Sequence, residues 1–161
     1  AYLRQYCNSL VTWSGSSFGQ CKKGLVGGFG ATAPRVRYFG NYETFSYSFP
    51  WWTWQEWEPF IDWLALNGIN MMLAPIGQEY VYRMVWMEMG IPEEEIDGFF
   101  TGDAFLAWHR MGNLKHLGGG VFVDHLKKQL ELNKKIVARL VSLGIVPVLP
   151  TFAGFVPDAF V

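Results

Sequence analysis

Leu64-Ala65-Leu66-Asn67-Gly68-Ile69-Asn70-Met71-Met72-Leu73-Ala74 is the stretch whose reading decides the fold. Leu64 and Ala65 close an apolar stripe that begins at Trp54 and continues through Trp57 and Ile61, the spacing of one helix face. Gly68 stands where a left-handed residue ends a helix. Ile69 to Ala74 is a short, nearly uninterrupted apolar run, as expected of a strand buried on both faces.

The same alternation extends outward in both directions. Upstream, Val36 to Tyr42 has the β-branched and aromatic content of a strand, and Ser46-Tyr47-Ser48-Phe49 continues it with polar and aromatic residues alternating. An aromatic run, Trp51-Trp52-Thr53-Trp54, leads into the helix. Thr53 and Glu56 have capping-box spacing, but Pro59 lacks an N–H, which puts the regular part of the helix near Glu58. Downstream, residues 78–90, residues 103–111 with Asp103 as cap, and residues 124–143 with Asp124 as cap and Gly144 as terminator read as three helices. Leu126, Leu130, Val137 and Leu140 line one face of the last. Ile145 to Leu149 is again a short apolar strand, although Pro147 removes a donor that a central strand needs. The order strand, helix, strand, several helices, strand calls for parallel strands with right-handed helical crossovers. Three strands make only part of a closed or doubly wound sheet, and their open edge is expected to leave the chain aggregated or molten by itself. Residues 8–35 are rich in Gly and Ser without periodicity, so a boundary falls near Pro34, dividing 1–34 from 35–161.

Composition points the same way. Aromatic residues make up 17% of the 161 and charged residues another 17%, below the roughly 25% charge of an ordinary soluble domain. Part of this surface is therefore expected to be covered by further chain. Ala1 to Tyr6 reads as the middle of an uncapped helix. No apolar run reaches the roughly 18 residues of a membrane span, and none follows a basic start as in a signal peptide. Thirteen Lys and Arg against fourteen Asp and Glu leave no basic footprint for nucleic acid. The basic stretch from Lys127-Lys128 to Lys134-Lys135 and Arg139 is interleaved with apolar residues at helical spacing, the solvated face of a helix. Cys7 and Cys21 either pair or are both small buried residues, and their spacing fits no zinc pattern.

Several chemical signals fail on context. Gly28-Phe29-Gly30-Ala31-Thr32-Ala33 matches the dinucleotide fingerprint in letters, but Pro34 follows at once where a helix is required. His109, His116 and His125 lie seven and nine residues apart, which does not pair two imidazoles on one helix face for a metal. Ser14, Ser16 and Ser17 lack the Gly-x-Ser-x-Gly turn of a serine hydrolase. Glu93-Glu94-Glu95 after Pro92 suits the positive end of a helix. Glu43 and Glu79 differ, since each falls just after a predicted strand, where a parallel barrel places its active site. With Asn41 and Gln78 they would face one pocket, and paired acids are what glycoside hydrolysis needs.

Longer motifs carry a family resemblance. Leu66-Asn67-Gly68-Ile69-Asn70, Gly77-Gln78-Glu79, the run from Phe99-Phe100-Thr101-Gly102-Asp103 through Trp108-His109-Arg110 to Leu114, Tyr47-Ser48-Phe49-x-Trp51-Trp52-x-Trp54, Trp13-Ser14-Gly15 and Pro147-Val148-Leu149-Pro150-Thr151-Phe152-Ala153-Gly154 resemble glycoside hydrolase family 89. The resemblance implies an exo-acting glycosidase that removes terminal α-linked N-acetylglucosamine with retention. The animal member is the lysosomal enzyme of heparan sulfate breakdown; bacterial members act on glycans such as those of mucin. It implies an α/β fold: a partial (β/α)8-type (TIM) barrel, its first three strands with helical crossovers, preceded by the end of a small N-terminal domain. It calls for no cofactor and no metal, and places the protein in the lysosome or outside the cell.

Residue by residue, Asn41 matches a family asparagine that contacts the sugar, and Trp108 a tryptophan of the sugar-binding wall. Glu43 stands where the animal enzyme has a cysteine, and Gln78 and Glu79 match a shared motif without an assigned contact. The family's acid/base and nucleophile glutamates lie on later strands, with no catalytic residue in this chain. A Glu43/Glu79 catalytic pair therefore yields to the resemblance, and both are expected to line or support the pocket. The partners it implies are the glycan, the C-terminal remainder of the enzyme and, admissibly, further copies of the chain. The other reading is a non-catalytic carbohydrate-binding or interaction remnant using Asn41 and Trp108.

Overall fold

A computed structural model describes residue 7 and residues 9–12, 14–20 and 34–160. The helix read at Ala1 to Tyr6, Cys21 and the glycine pattern at Gly28 to Ala33 lie outside them. Cys7 is fully buried and disulfide-bonded. A small antiparallel hairpin, β1 (Leu10–Thr12) and β2 (Gly15–Ser17), precedes the main body.

The main sheet is parallel, in the order β3 (Tyr38–Phe39), β4 (Met71–Leu73), β5 (Val146–Val148). Chain order equals spatial order and each step crosses over through helices, which is the β/α repeat of a barrel. Among the described residues six α-helices accompany the strands: α1 (Thr44–Tyr47), α2 (Trp54–Leu66), α3 (Gln78–Glu88), α4 (Glu93–Phe99), α5 (Leu106–Arg110) and α6 (Val123–Ser142). α2 and α6 pack side by side over the sheet. Trp57, Phe60, Ile61 and Leu64 of α2 meet Ile136 and Leu140 of α6 and Met72 of β4 in one core, and Arg139 forks onto Asp62 at 2.8 Å across the helix pair. A second core gathers Trp86, Ile96, Phe99, Phe100 and Leu126 around α3 and α4.

Three helices end in one way. After α2, α3 and α6 a Gly-Ile pair closes the helix: Gly68, Gly90 and Gly144 have φ of +80°, +88° and +73°. The following Ile69, Ile91 and Ile145 donate back to Leu64, Trp86 and Leu140 at 2.9–3.0 Å. This six-to-one bond uses carbonyls the helix leaves free, and the isoleucine packs onto the last turn. Twice it aims the chain directly into a strand.

Several expectations change. Ser46 to Phe49 is not extended: Thr44 to Tyr47 is helical, and Phe45 and Phe49, four residues apart, bury together with rings 5.3 Å apart. The polar-aromatic alternation there coincided with a helical repeat. α2 starts at Trp54 rather than near Glu58, because the Glu56 carboxylate accepts the Thr53 N–H at 2.7 Å. Pro59 then leaves only the Gln55 carbonyl without its helical donor, and Gln55 is exposed. α4 is a helix additional to the three read downstream of β4, led by the three glutamates at its positive end. Asp103 begins a 3-10 turn and Asp124 lies within the first turn of α6 rather than capping it. Pro147 is tolerated because the residues flanking β4 bond to its neighbours: Val146 donates to Asn70 and Ala74 donates to Val148, both at 2.9 Å.

Candidate active site at the strand ends

The loops leaving β3, β4 and β5 converge on a cavity of about 60 Å³, lined among others by Tyr42, Gln78, Tyr82, Arg110 and Phe152. Each strand contributes: Tyr42 follows β3, Gln78 opens α3 after β4, and Phe152 follows β5. Tyr82 donates its hydroxyl hydrogen to the Thr151 carbonyl at 3.3 Å, holding the last loop against α3. The Gln78 Oε1 is buried and finds no hydrogen-bond partner among the described residues. A buried acceptor left open in a concave site is poised for a ligand donor. Burial raises the Tyr42 and Tyr82 phenol pKa values; the Arg110 charge opposes this at Tyr42, while Glu79 and Tyr42 reinforce it at Tyr82.

Asn41 stands just before Tyr42. Its Oδ1 accepts the Thr44 N–H at 3.1 Å and the Thr44 hydroxyl, starting α1. The amide oxygen is thereby spent on the backbone, which leaves the exposed Asn41 Nδ2 as a donor. Glu43 is half-buried at the entry to α1 with helical backbone angles.

Trp108 lies on α5, half-buried and outside both cores. Its ring meets Tyr47 edge to face at 5.6 Å, and Tyr47 is 73% exposed. α1 and α5 are joined a second time where buried Ser46 Oγ accepts the Ala107 N–H at 2.9 Å. Asn41, Tyr47 and Trp108 thus belong to one locally braced unit. Tyr47 was not singled out in the sequence, although it lies one residue from Ser46 and opens a quoted motif.

Glu79 sits behind this surface, 1% exposed. Arg110 forks onto it, Nε to Oε1 at 2.6 Å and Nη2 to Oε2 at 3.1 Å. The structure therefore does not bring Glu43 and Glu79 together as free facing acids. A smaller cavity of about 20 Å³ on the far side of Arg110 is lined in part by Asp103, His125 and Gln129. His109 packs against Phe99 and Phe155 at 4.9 and 5.2 Å and shares a 3.0 Å hydrogen bond with the Leu114 carbonyl through Nδ1. Burial holds its pKa below the usual imidazole value. Among the described residues, no group of three or more His, Cys, Asp or Glu assembles as a metal site, and no helix is long and apolar enough to cross a membrane.

His125 Nε2 pairs with Asp103 Oδ2 at 3.1 Å, tying α6 to the turn before α5, and the Asp103 hydrogen bond raises the His125 pKa. A raised imidazole pKa stabilises the fold fully below the unfolded value near 6.5, and that contribution is lost as pH rises through the folded pKa. His125→Gln is expected to cost about 0.5–1 kcal/mol at pH 5 and less at pH 8. The melting-temperature gap between wild type and variant should accordingly narrow from pH 5 to pH 8; a gap that widens would rule out the pair as its source. His109, whose pKa is depressed, acts in the opposite sense, so the comparison must be made against the variant rather than on the wild type alone.

Residues 37–161 match the family model described as the alpha-N-acetylglucosaminidase (NAGLU) tim-barrel domain. The chain is 47% identical over 162 residues to the human protein named alpha-N-acetylglucosaminidase, covering 98% of this chain and 22% of that one. Its structure superposes with a TM-score of 0.82 and 36% identity on a family 89 glycoside hydrolase from Clostridium perfringens in complex with 2-acetamido-1,2-dideoxynojirmycin, over 99% of this chain and 18% of that one. The same score, identity and coverage hold for a doubly Glu-to-Gln substituted Clostridium perfringens enzyme in complex with its substrate GlcNAc-alpha-1,4-galactose. The chain thus spans about a fifth of the length of these relatives. It belongs to the alpha-N-acetylglucosaminidase TIM-barrel domain family.

Proposed function

We propose that residues 35–161 form the first three β/α units of the catalytic barrel of an exo-acting, retaining α-N-acetylglucosaminidase. Residues 1–34 then end a preceding small domain. The observation that carries this reading is a cavity at the carboxyl ends of all three parallel strands, with Gln78, whose buried Oε1 has no partner among the described residues, in its lining. In a barrel, that end is where substrates bind. The Asn41 amide supplies a donor for a sugar oxygen, and the Trp108 ring, braced by Tyr47, offers an apolar face to the pyranose. Gln78 takes a hydroxyl hydrogen, and Glu43 flanks the rim.

Retaining hydrolysis needs two carboxyl groups about 5 Å apart on either side of the glycosidic bond. Glu79 is committed to Arg110, so we assign both roles to glutamates on barrel strands in the further length that the relatives possess. The substrate is a glycan ending in α-linked N-acetylglucosamine, such as heparan sulfate. We place the enzyme in the lysosome or outside the cell, where the disulfide at Cys7 is at home. The rest of the polypeptide covers the open sheet edge.

Turnover of an aryl α-N-acetylglucosaminide by the full-length enzyme tests this reading. Asn41→Asp keeps the oxygen that starts α1 and removes the donor, so kcat/KM is expected to fall about tenfold, the value of one hydrogen bond, with little change in melting temperature. Wild-type protein inert toward this substrate, or a variant as active as wild type, would refute it.

A further inference from the structure

We propose that Glu79, through its fork with Arg110, is a positioning residue that sets Trp108 against the sugar without itself touching the substrate. The inference rests on the proposed role of Trp108 and deepens it. Both side chains are already enclosed by this chain, 1% and 6% exposed, so the pair stays buried whatever else packs onto the barrel.

α5 has only five residues and no side-chain cap. A helix this short does not hold its own orientation, since forming the first turn is itself unfavourable. Its direction must come from its anchors. One is the Ser46 hydrogen bond to Ala107; another is Arg110, whose planar fork meets the Glu79 carboxylate through two nitrogens at 2.6 and 3.1 Å. Two parallel charge-assisted bonds fix rotation as well as distance. The helix ends also fit: Glu79 lies in the first turn of α3, and Arg110 ends α5, so each charge faces the favourable pole of its own helix.

Trp108 precedes Arg110 by two residues. At 3.6 residues per turn they project about 200° apart. Drawing Arg110 inward toward α3 therefore turns Trp108 to the opposite side, where Tyr47 meets it. Glu79 has no free oxygen to offer a sugar: both accept from Arg110 and neither is exposed. Its geometric part in binding passes through what it holds.

A double-mutant cycle in the full-length enzyme tests the proposal, with kcat/KM for an aryl α-N-acetylglucosaminide measured on wild type, Glu79→Gln, Trp108→Ala and the double variant. Glu79→Gln is expected to lower kcat/KM about tenfold with Trp108 present and less than twofold when Trp108→Ala is already in place. Arg110→Lys keeps the charge but loses the fork, should fold well, and should show the same dependence on Trp108; it takes the place of Glu79→Gln in the cycle if that variant does not fold. Equal losses in both backgrounds would overturn the proposal, as would no loss in either. If Trp108→Ala alone leaves kcat/KM intact, the reading of Trp108 as a sugar platform fails first. If it lowers kcat/KM but the losses add, only the positioning role is lost.

Discussion

Replacing Trp108 with alanine in the full-length enzyme is expected to lower kcat/KM for an α-N-acetylglucosaminide by about 30-fold or more, some 2–3 kcal/mol of lost stacking, while the melting temperature stays close to wild type. The sequence alone allows the opposite outcome, since Phe105, Trp108 and Met111 share a three-residue spacing that fits a buried helix face. The structure separates the two. Phe105 is 37% exposed and neither Phe105 nor Trp108 belongs to a core cluster. Trp108 keeps an open side, and its ring neighbour Tyr47 is itself mostly exposed. Truncating a tryptophan that closes a core costs about 3–5 kcal/mol of stability; Trp57, fully buried among Phe45, Phe49 and Phe60, is that kind of residue here. Trp108→Ala and Trp57→Ala should therefore fail differently, the first in turnover and the second in melting. A Trp108→Ala enzyme that melts many degrees lower yet retains wild-type kcat/KM in its folded fraction would return the residue to the core.

The parts of the fold that were legible in the sequence are those where one local rule acts alone. Met71 to Ala74 is apolar throughout because the strand is covered on both faces, and Gly68 and Gly144 end their helices because only a left-handed residue lets the next isoleucine bond back. Segment 44–49 was not legible. Its helix follows from the Asn41 oxygen turning the chain and from Phe45 and Phe49 meeting on one side, both of which hide beneath an apparent period of two. In the site, Asn41 and Trp108 are expectations drawn from the family resemblance, and their geometry is intelligible only once α1 and α5 are seen braced together. Glu79 illustrates the limit of position-based reading. A carboxylate just after a strand invites a catalytic role, but its partner Arg110 is 31 residues away, and nothing short of the fold brings the two within reach.

Gly77 is where fold and site are most tightly joined, and Gly77→Ala is expected to destabilise the protein by about 3–5 kcal/mol, from left-handed strain together with overpacking. Gly77 has φ +79° between the end of β4 and the first residue of α3, where it turns the chain so that Gln78 enters the cavity and Glu79 meets Arg110. A Cβ there would stand 2.6 Å from the Leu130 Cα and 2.7 Å from its amide nitrogen. Those are backbone atoms in the middle of a 20-residue helix, so no side-chain rotation relieves the contact; α6 must move away from the strand end. Gly144 supplies the control, with a similar φ of +73° but nothing within 4 Å of an added Cβ. Gly144→Ala carries the strain without the collision and should cost only about 1–2 kcal/mol. Thermal or denaturant unfolding of the two variants side by side reads the difference. Gly77→Ala should be clearly the less stable, and because moving α6 or the start of α3 also displaces Gln78 and Glu79, it should lose turnover even at temperatures where it remains folded. Equal costs for the two glycines would mean that the approach of α6 to the strand end is not rigid, and that the seat of Gln78 and Glu79 is set elsewhere.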